Sequence, residues 1–149
     1  MTATSYLPAG LPPPLPDADG LSRPFWDGLR DERLLVQRCG RCATWQFGPE
    51  WICHHCLAFD PAWVEVAPRG RLFSWERVWH PVHPALKSHG PYLVALVELP
   101  QAGGIRLLGN LLGDPLREPT IGEEMAGVFE HHTDAPGGPF SLLHWRAAD

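Results

Sequence analysis

Four cysteines fall within 18 residues as two C-x-x-C pairs, Cys39-Gly-Arg-Cys42 and Cys53-His-His-Cys56, with ten residues between them. In a zinc ribbon each pair forms a tight turn whose backbone amides point at the sulfurs. Two such turns facing one another complete a tetrahedral thiolate site for Zn²⁺. One structural zinc ion held by Cys39, Cys42, Cys53 and Cys56 is the expectation; a rubredoxin-type iron site and a redox or disulfide role are the alternatives. The redox reading calls for a single C-x-x-C opening a helix inside a βαβ pattern, which this sequence lacks. His54 and His55 lie inside the second pair, where either could replace a cysteine. Positions between two ligating cysteines normally face outward, however, so both are expected to be exposed and non-ligating. A site closed by four thiolates builds a domain rather than performing catalysis.

Clustered free thiols suit a reducing compartment. No apolar run approaches the roughly 18 residues of a membrane span, and the N-terminus has neither the basic start nor the apolar stretch of a signal peptide. The expected location is the cytoplasm, with no membrane contact.

Composition shifts along the chain divide it into three. Residues 1–23 form a proline-rich arm, including Pro12-Pro13-Pro14, that buries too little apolar surface to offset its ordering entropy. Residues 24–66 carry a short helix and a rubredoxin-like zinc ribbon. Ser22 is placed to cap the helix with Pro24 in its first turn, and Phe25, Trp26 and Leu29 share one side. The strand Leu34–Gln37 then leads into the first cysteine pair, and Trp45, Phe47 and Trp51 alternate in a hairpin between the pairs.

Residues 67–149 read as an OB-fold. The runs Arg71–Trp79, Tyr92–Leu99, Ile105–Leu112, Met125–Glu130 and Phe140–Trp145 are strand-like, and Gly- and Pro-rich breakers separate them. Five strands without a strong helix suit a small barrel, whose closure removes exposed edges. Gly109 is expected to mark a bulge or bend, and Phe73, Trp75 and Trp79 to share one strand face. The fold class is therefore mostly β: a short helix and a zinc ribbon, then a five-stranded barrel whose core is separate enough to survive loss of the metal.

Ribbons and OB-folds both serve nucleic-acid binding, which makes a nucleic-acid-binding module the rival reading. The formal charge of −5 argues against it: only residues 34–80 lean positive, by one charge, and no basic groove is evident. No catalytic motif can be assembled. The loop pair His80-x-x-His83 and the pair His131-His132 lack a third ligand or a nucleophile, and are expected to be ordinary polar residues.

An ordered set of segments resembles a known family, the zinc-ribbon plus OB-fold proteins that accompany thiolase-like enzymes in acyl-CoA metabolism. The likeness covers residues 24–147. It rests on Pro24-Phe25-Trp26-Asp27-Gly28-Leu29, Gln37-Arg38-Cys39, Trp63-Val64-Glu65-Val66, Arg69-Gly70-Arg71-Leu72-Phe73-Ser74, Pro91–Leu99, Arg106–Leu111 and Ile121-Gly122 leading to Val128-Phe129-Glu130. His54 stands where the family usually has proline, and Ala43 where glycine often follows the second cysteine; neither removes a ligand.

The resemblance implies a non-catalytic subunit of a hetero-oligomer. Its partner would be a thiolase or a thiolase-like aldolase, such as those that cleave steroid side chains, and this chain would help to form the partner's acyl-CoA site. A CoA thioester needs guanidinium groups for phosphates and an apolar wall for pantetheine. Arg69, Arg71, Trp75, Arg77 and Trp79, all near one strand, are the candidates the resemblance suggests.

Overall fold

The computed structural model describes residues 15–17, 20–59 and 61–149. Most of the expected proline-rich arm, residues 1–14, 18 and 19, lies outside the described residues.

Helix α1 spans Arg23–Arg30, with Pro24 in its first turn and Arg30 in its last. The expected Ser22 cap does not form. Ser22 sits at φ −89°, ψ 0° rather than in the extended conformation that aims a hydroxyl at the helix amides, and only its carbonyl is used, accepting from Trp26 N at 3.2 Å. Phe25 and Leu29 are buried, while Trp26 packs partly against the core. The helix ends where the amides of Asp31 and Arg33 both donate to the Gly28 carbonyl, at 3.0 and 2.8 Å. Gly28 permits this close return: a Cβ there would meet the Arg33 carbonyl oxygen at 2.8 Å and the Leu35 side chain at 2.9 Å.

Strands β1 (Leu34–Cys39), β2 (Trp45–Gln46) and β3 (Pro61–Val66) form a sheet in the order β2-β1-β3. β1 and β3 pair along their full length, from Leu34↔Val66 to Cys39↔Pro61. Periodicity does not announce β3, since it opens on proline and its burial does not alternate. Its partner is supplied by a strand more than twenty residues earlier.

The five expected runs become β4 (Arg69–Val78), β5 (Tyr92–Leu99), β6 (Ile105–Leu111), β7 (Glu124–His132) and β8 (Phe140–Ala147), closed into a barrel in the order β4-β5-β6-β8-β7. β5 shows the two-residue period most clearly: Leu93, Ala95, Val97 and Leu99 are buried, and the residues between them are half-buried.

Two expectations about the barrel are corrected. The register break lies in β4 between Leu72 and Ser74, while Gly109 pairs regularly with Ala95. Gly109 is instead a point of close approach, where a Cβ would come within 2.9 Å of both the Trp145 ring and the Leu143 carbonyl. The bulge also reverses the alternation, so Phe73 does not share a face with Trp75 and Trp79.

Nor is the barrel core separate. One buried cluster joins Phe25, Leu29, Leu34 and Val36 of the N-terminal unit to Leu72, Leu93, Met125, Leu143 and Trp145 of the barrel. Among the described residues no helix is long and apolar enough to cross a membrane.

Candidate metal centre and flanking residues

The first knuckle follows directly from β1, and the second is carried by the loop that returns to β3. The two are built alike. Cys39 N donates to Thr44 O and Ala43 N to Cys39 O; Cys53 N donates to Ala58 O and Leu57 N to Cys53 O, each at 2.9 Å. To close these turns Ala43 and Leu57 take φ of 62° and 60°, the left-handed region that favours glycine. The glycine position noted from the sequence is therefore a conformational requirement that this chain meets with alanine in one knuckle and leucine in the other.

The four Sγ atoms lie within 4.8 Å of one another, with Cys39–Cys56 and Cys42–Cys53 both at 3.6 Å, and all four thiols are free. Tetrahedral zinc with bonds of about 2.3 Å requires sulfur–sulfur separations of about 3.8 Å, so the donor set fits the ion. Backbone amides point at the sulfurs as a thiolate site needs: Cys42 N lies 3.5 Å from Cys39 Sγ, and His55 N 3.4 Å from Cys53 Sγ.

The electrostatics suit a cation among the four sulfurs. The Thr44 side chain and then its backbone hold Cys42 down to about 5, and the Cys42 amide lowers Cys39. At Cys56 the Ala58 amide acts downward, but burial and the neighbouring thiols outweigh it and push the group up to about 11. Hydrogen bonding among the thiols thus favours a mixture of thiol and thiolate, and a bound cation would favour ionisation of all four. His54 and His55 are exposed, as expected of residues outside the ligand set.

A buried amide pair that the sequence reading missed steadies the second knuckle. Gln46 Nε2 donates to Gln37 Oε1 at 3.0 Å and to Ile52 O at 3.2 Å. Gln37 bridges to Glu50 O and Glu50 N, and Gln46 Oε1 accepts from His54 N at 3.3 Å. The available signal was a glutamine two residues before Cys39, directly after the apolar run Leu34-Leu35-Val36.

The β4 candidates separate into two groups. Arg69 and Arg71 are exposed near the strand's start, around a shallow pocket of about 190 Å³ shared with Pro100, Gln101 and Glu124. Trp75, Arg77 and Trp79 cluster towards the other end, with Arg77 about 20 Å from Arg71 at the usual rise per residue. There the Arg77 guanidinium carbon lies 5.3 and 5.7 Å from the two indole centroids. The same guanidinium donates to Pro115 O at 2.9 Å, to the Arg117 carbonyl and to the Glu118 carboxylate. Arg77 is therefore committed to holding the β6–β7 loop.

The histidine pair has a structural setting. Glu130, wholly buried, lies 2.7 Å from His132 Nε2 and 2.9 Å from His144 Nε2. His131 bridges Ser141 Oγ at 2.7 Å and Glu32 at 3.1 Å. The pairing of Glu130 with His144 is not legible in the sequence because it arises only through the β7–β8 register. His80 and His83 stand on the exposed loop after β4, where His83 Nδ1 accepts from Ala85 N at 3.2 Å.

Comparison with known proteins places these features in context. A family model described as the ChsH2 rubredoxin-like zinc ribbon domain matches residues 26–62, and one described as the ChsH2 C-terminal OB-fold domain matches residues 63–130. Among solved structures, the chain is similar to a chain of the Ltp2-ChsH2(DUF35) aldolase, with 32% identity, a TM-score of 0.74, and coverage of 91% of this chain and 100% of that one. A DUF35-family protein of unknown function from Sulfolobus solfataricus gives a TM-score of 0.61 at 17% identity over 87% of each chain, a likeness of fold alone. A curated relative, the probable enoyl-CoA hydratase alpha subunit of Thermomonospora curvata, is 43% identical over 90 residues. That match takes in 60% of this chain and 27% of the relative, so the chain spans about a quarter of the relative's length.

Proposed function

Because the chain belongs to the ChsH2 family of zinc-ribbon and OB-fold proteins, we propose that it is a non-catalytic cytoplasmic subunit that binds a thiolase-like aldolase or thiolase. In that complex it helps to build the partner's acyl-CoA site. The observation that carries this reading is the likeness, over 91% of this chain, to a chain of the Ltp2-ChsH2(DUF35) aldolase, joined to a four-thiol cluster whose geometry suits a structural ion. The reacting groups belong to the partner; this chain supplies folded surface. Contact with CoA falls to the β4 candidates: Arg69 and Arg71 are free to meet phosphates, and Trp79 offers apolar wall, while Arg77 keeps its loop in place.

Co-expression with an Ltp2-type aldolase subunit tests this reading. The expected result is a complex of fixed stoichiometry that survives size exclusion and retains one zinc per copy of this chain. Separate elution of two folded, zinc-replete components would overturn it.

A further inference from the structure

The outer face of the barrel carries an apolar row where the strand registers bring side chains from three strands into line. Leu108 of β6 stands opposite Leu96 of β5, and Leu96 opposite Ser74 of β4, with Phe73 pushed to the same side by the bulge. The β6–β7 loop extends the row. Gly122 N donates to Leu72 O and Leu72 N to Glu123 O, which brings Ile121 alongside this part of β4. Leu108 is 68% exposed, Ile121 60% and Phe73 43%. Large apolar side chains left in water side by side mark an interaction surface.

The position and chemistry of this row narrow its occupant. β5 and β6 are the second and third strands of the barrel, the face with which OB-folds usually bind ligands. Here that face is unsuited to a nucleic acid. The Arg106 guanidinium carbon lies 3.5 Å from the Phe73 ring centroid and its Nε 3.1 Å from Glu98, which covers the ring and neutralises the charge. The likeness to a chain of the Ltp2-ChsH2(DUF35) aldolase favours a different subunit over a second copy, and the row by itself supplies only a few hundred Å², short of the about 800 Å² per partner that a stable interface takes. It suits the centre of a larger contact.

The adjoining loop is already ordered for such a contact. Arg77 grips residues 115–118, Asp114 accepts from Leu116 N at 2.9 Å, and Arg117 is paired with Glu123 at 2.8 Å. Docking there costs little further conformational entropy.

We propose that Phe73, Leu96, Leu108 and Ile121 form the centre of the contact with the aldolase-type partner subunit, an inference that rests on the accessory-subunit reading above. The partner surface is apolar and carries no excess of charge opposite the Glu98–Arg106 pair.

The test measures affinity for a co-expressed Ltp2-type aldolase subunit in three proteins: wild type, Leu108→Asp/Ile121→Asp, and Phe59→Asp on the exposed ribbon loop. The double variant is expected to bind at least about 30-fold more weakly and Phe59→Asp within about threefold, with zinc content and melting temperature unchanged in both. Should the double variant not fold, Leu108→Gln carries the test, with a loss of about fivefold. Unaltered affinity in the folded Leu108 variants would overturn this placement and leave the accessory role standing. Failure of zinc-replete wild type to bind would overturn the accessory role itself.

Discussion

At the residue scale the cysteines set the site, and less conspicuous residues set its quality. Leu57 holds a left-handed conformation that costs an L-residue roughly 1–2 kcal/mol, and its side chain is exposed, so little packing offsets that cost. Leu57→Gly is expected to stabilise the protein by about 0.5–1 kcal/mol once glycine's greater unfolded entropy is subtracted, read as a rise in the denaturation midpoint. A fall would show that the leucine packs usefully. Gln46 has the opposite character: buried, it satisfies Ile52 O and His54 N and supports Gln37. Gln46→Leu strands these groups and should destabilise by about 1–3 kcal/mol, while Thr44→Val, outside the amide network, should leave that network intact. Equal stability of Gln46→Leu and wild type in denaturant would contradict the role assigned to the amide pair.

Elements were legible in proportion to how local their causes are. The barrel strands follow from period-two alternation between Gly and Pro breakers, and α1 from its apolar spacing and Pro24. β3 was not legible, because it takes its partner from β1; nor was the β4 bulge, because nothing in Leu72-Phe73-Ser74 says which residue slips. The clustering of the four cysteines was readable almost entirely, since all of them lie within two short turns. The Gln37–Gln46 pair and the Glu130–His144 pair were not, since each exists only through strand register. The β7–β8 hairpin leads to a pH prediction. Burial lowers His144 below its ordinary 6.5, against the opposing pull of Glu130. The unfolded chain therefore takes up a proton near pH 6.5 that the folded chain refuses. The stability this confers is present above about pH 6.5 and is lost as pH falls from there towards the lowered value. Melting temperature should drop from pH 7.5 to 5.5, and His144→Gln should make that slope shallower; an identical slope in the variant would exclude His144 as its source.

For the whole molecule, the continuity of the core matters most. Leu29, Leu34 and Val36 belong to the same buried cluster as the barrel residues, so the ribbon is not an appendage. Removing zinc with a chelator should lower the stability of the barrel as well as the ribbon, giving one unfolding transition at reduced temperature by both tryptophan fluorescence and far-ultraviolet circular dichroism. Two separated transitions, with the barrel unchanged, would restore independent cores. Among the tryptophans, Trp51 and Trp79 are exposed, while Trp26, Trp45 and Trp75 are partly buried against the core. A folded scaffold with an apolar outer row and four clustered thiols suits the proposed role of holding another protein. The most direct measurement of that claim is retro-aldol turnover of an acyl-CoA substrate by an Ltp2-type aldolase subunit, with and without stoichiometric zinc-loaded chain. The account predicts that the rate rises at least about tenfold when the chain is added and that the chain alone gives none. Full turnover by the aldolase subunit alone, or any turnover by this chain alone, would contradict it.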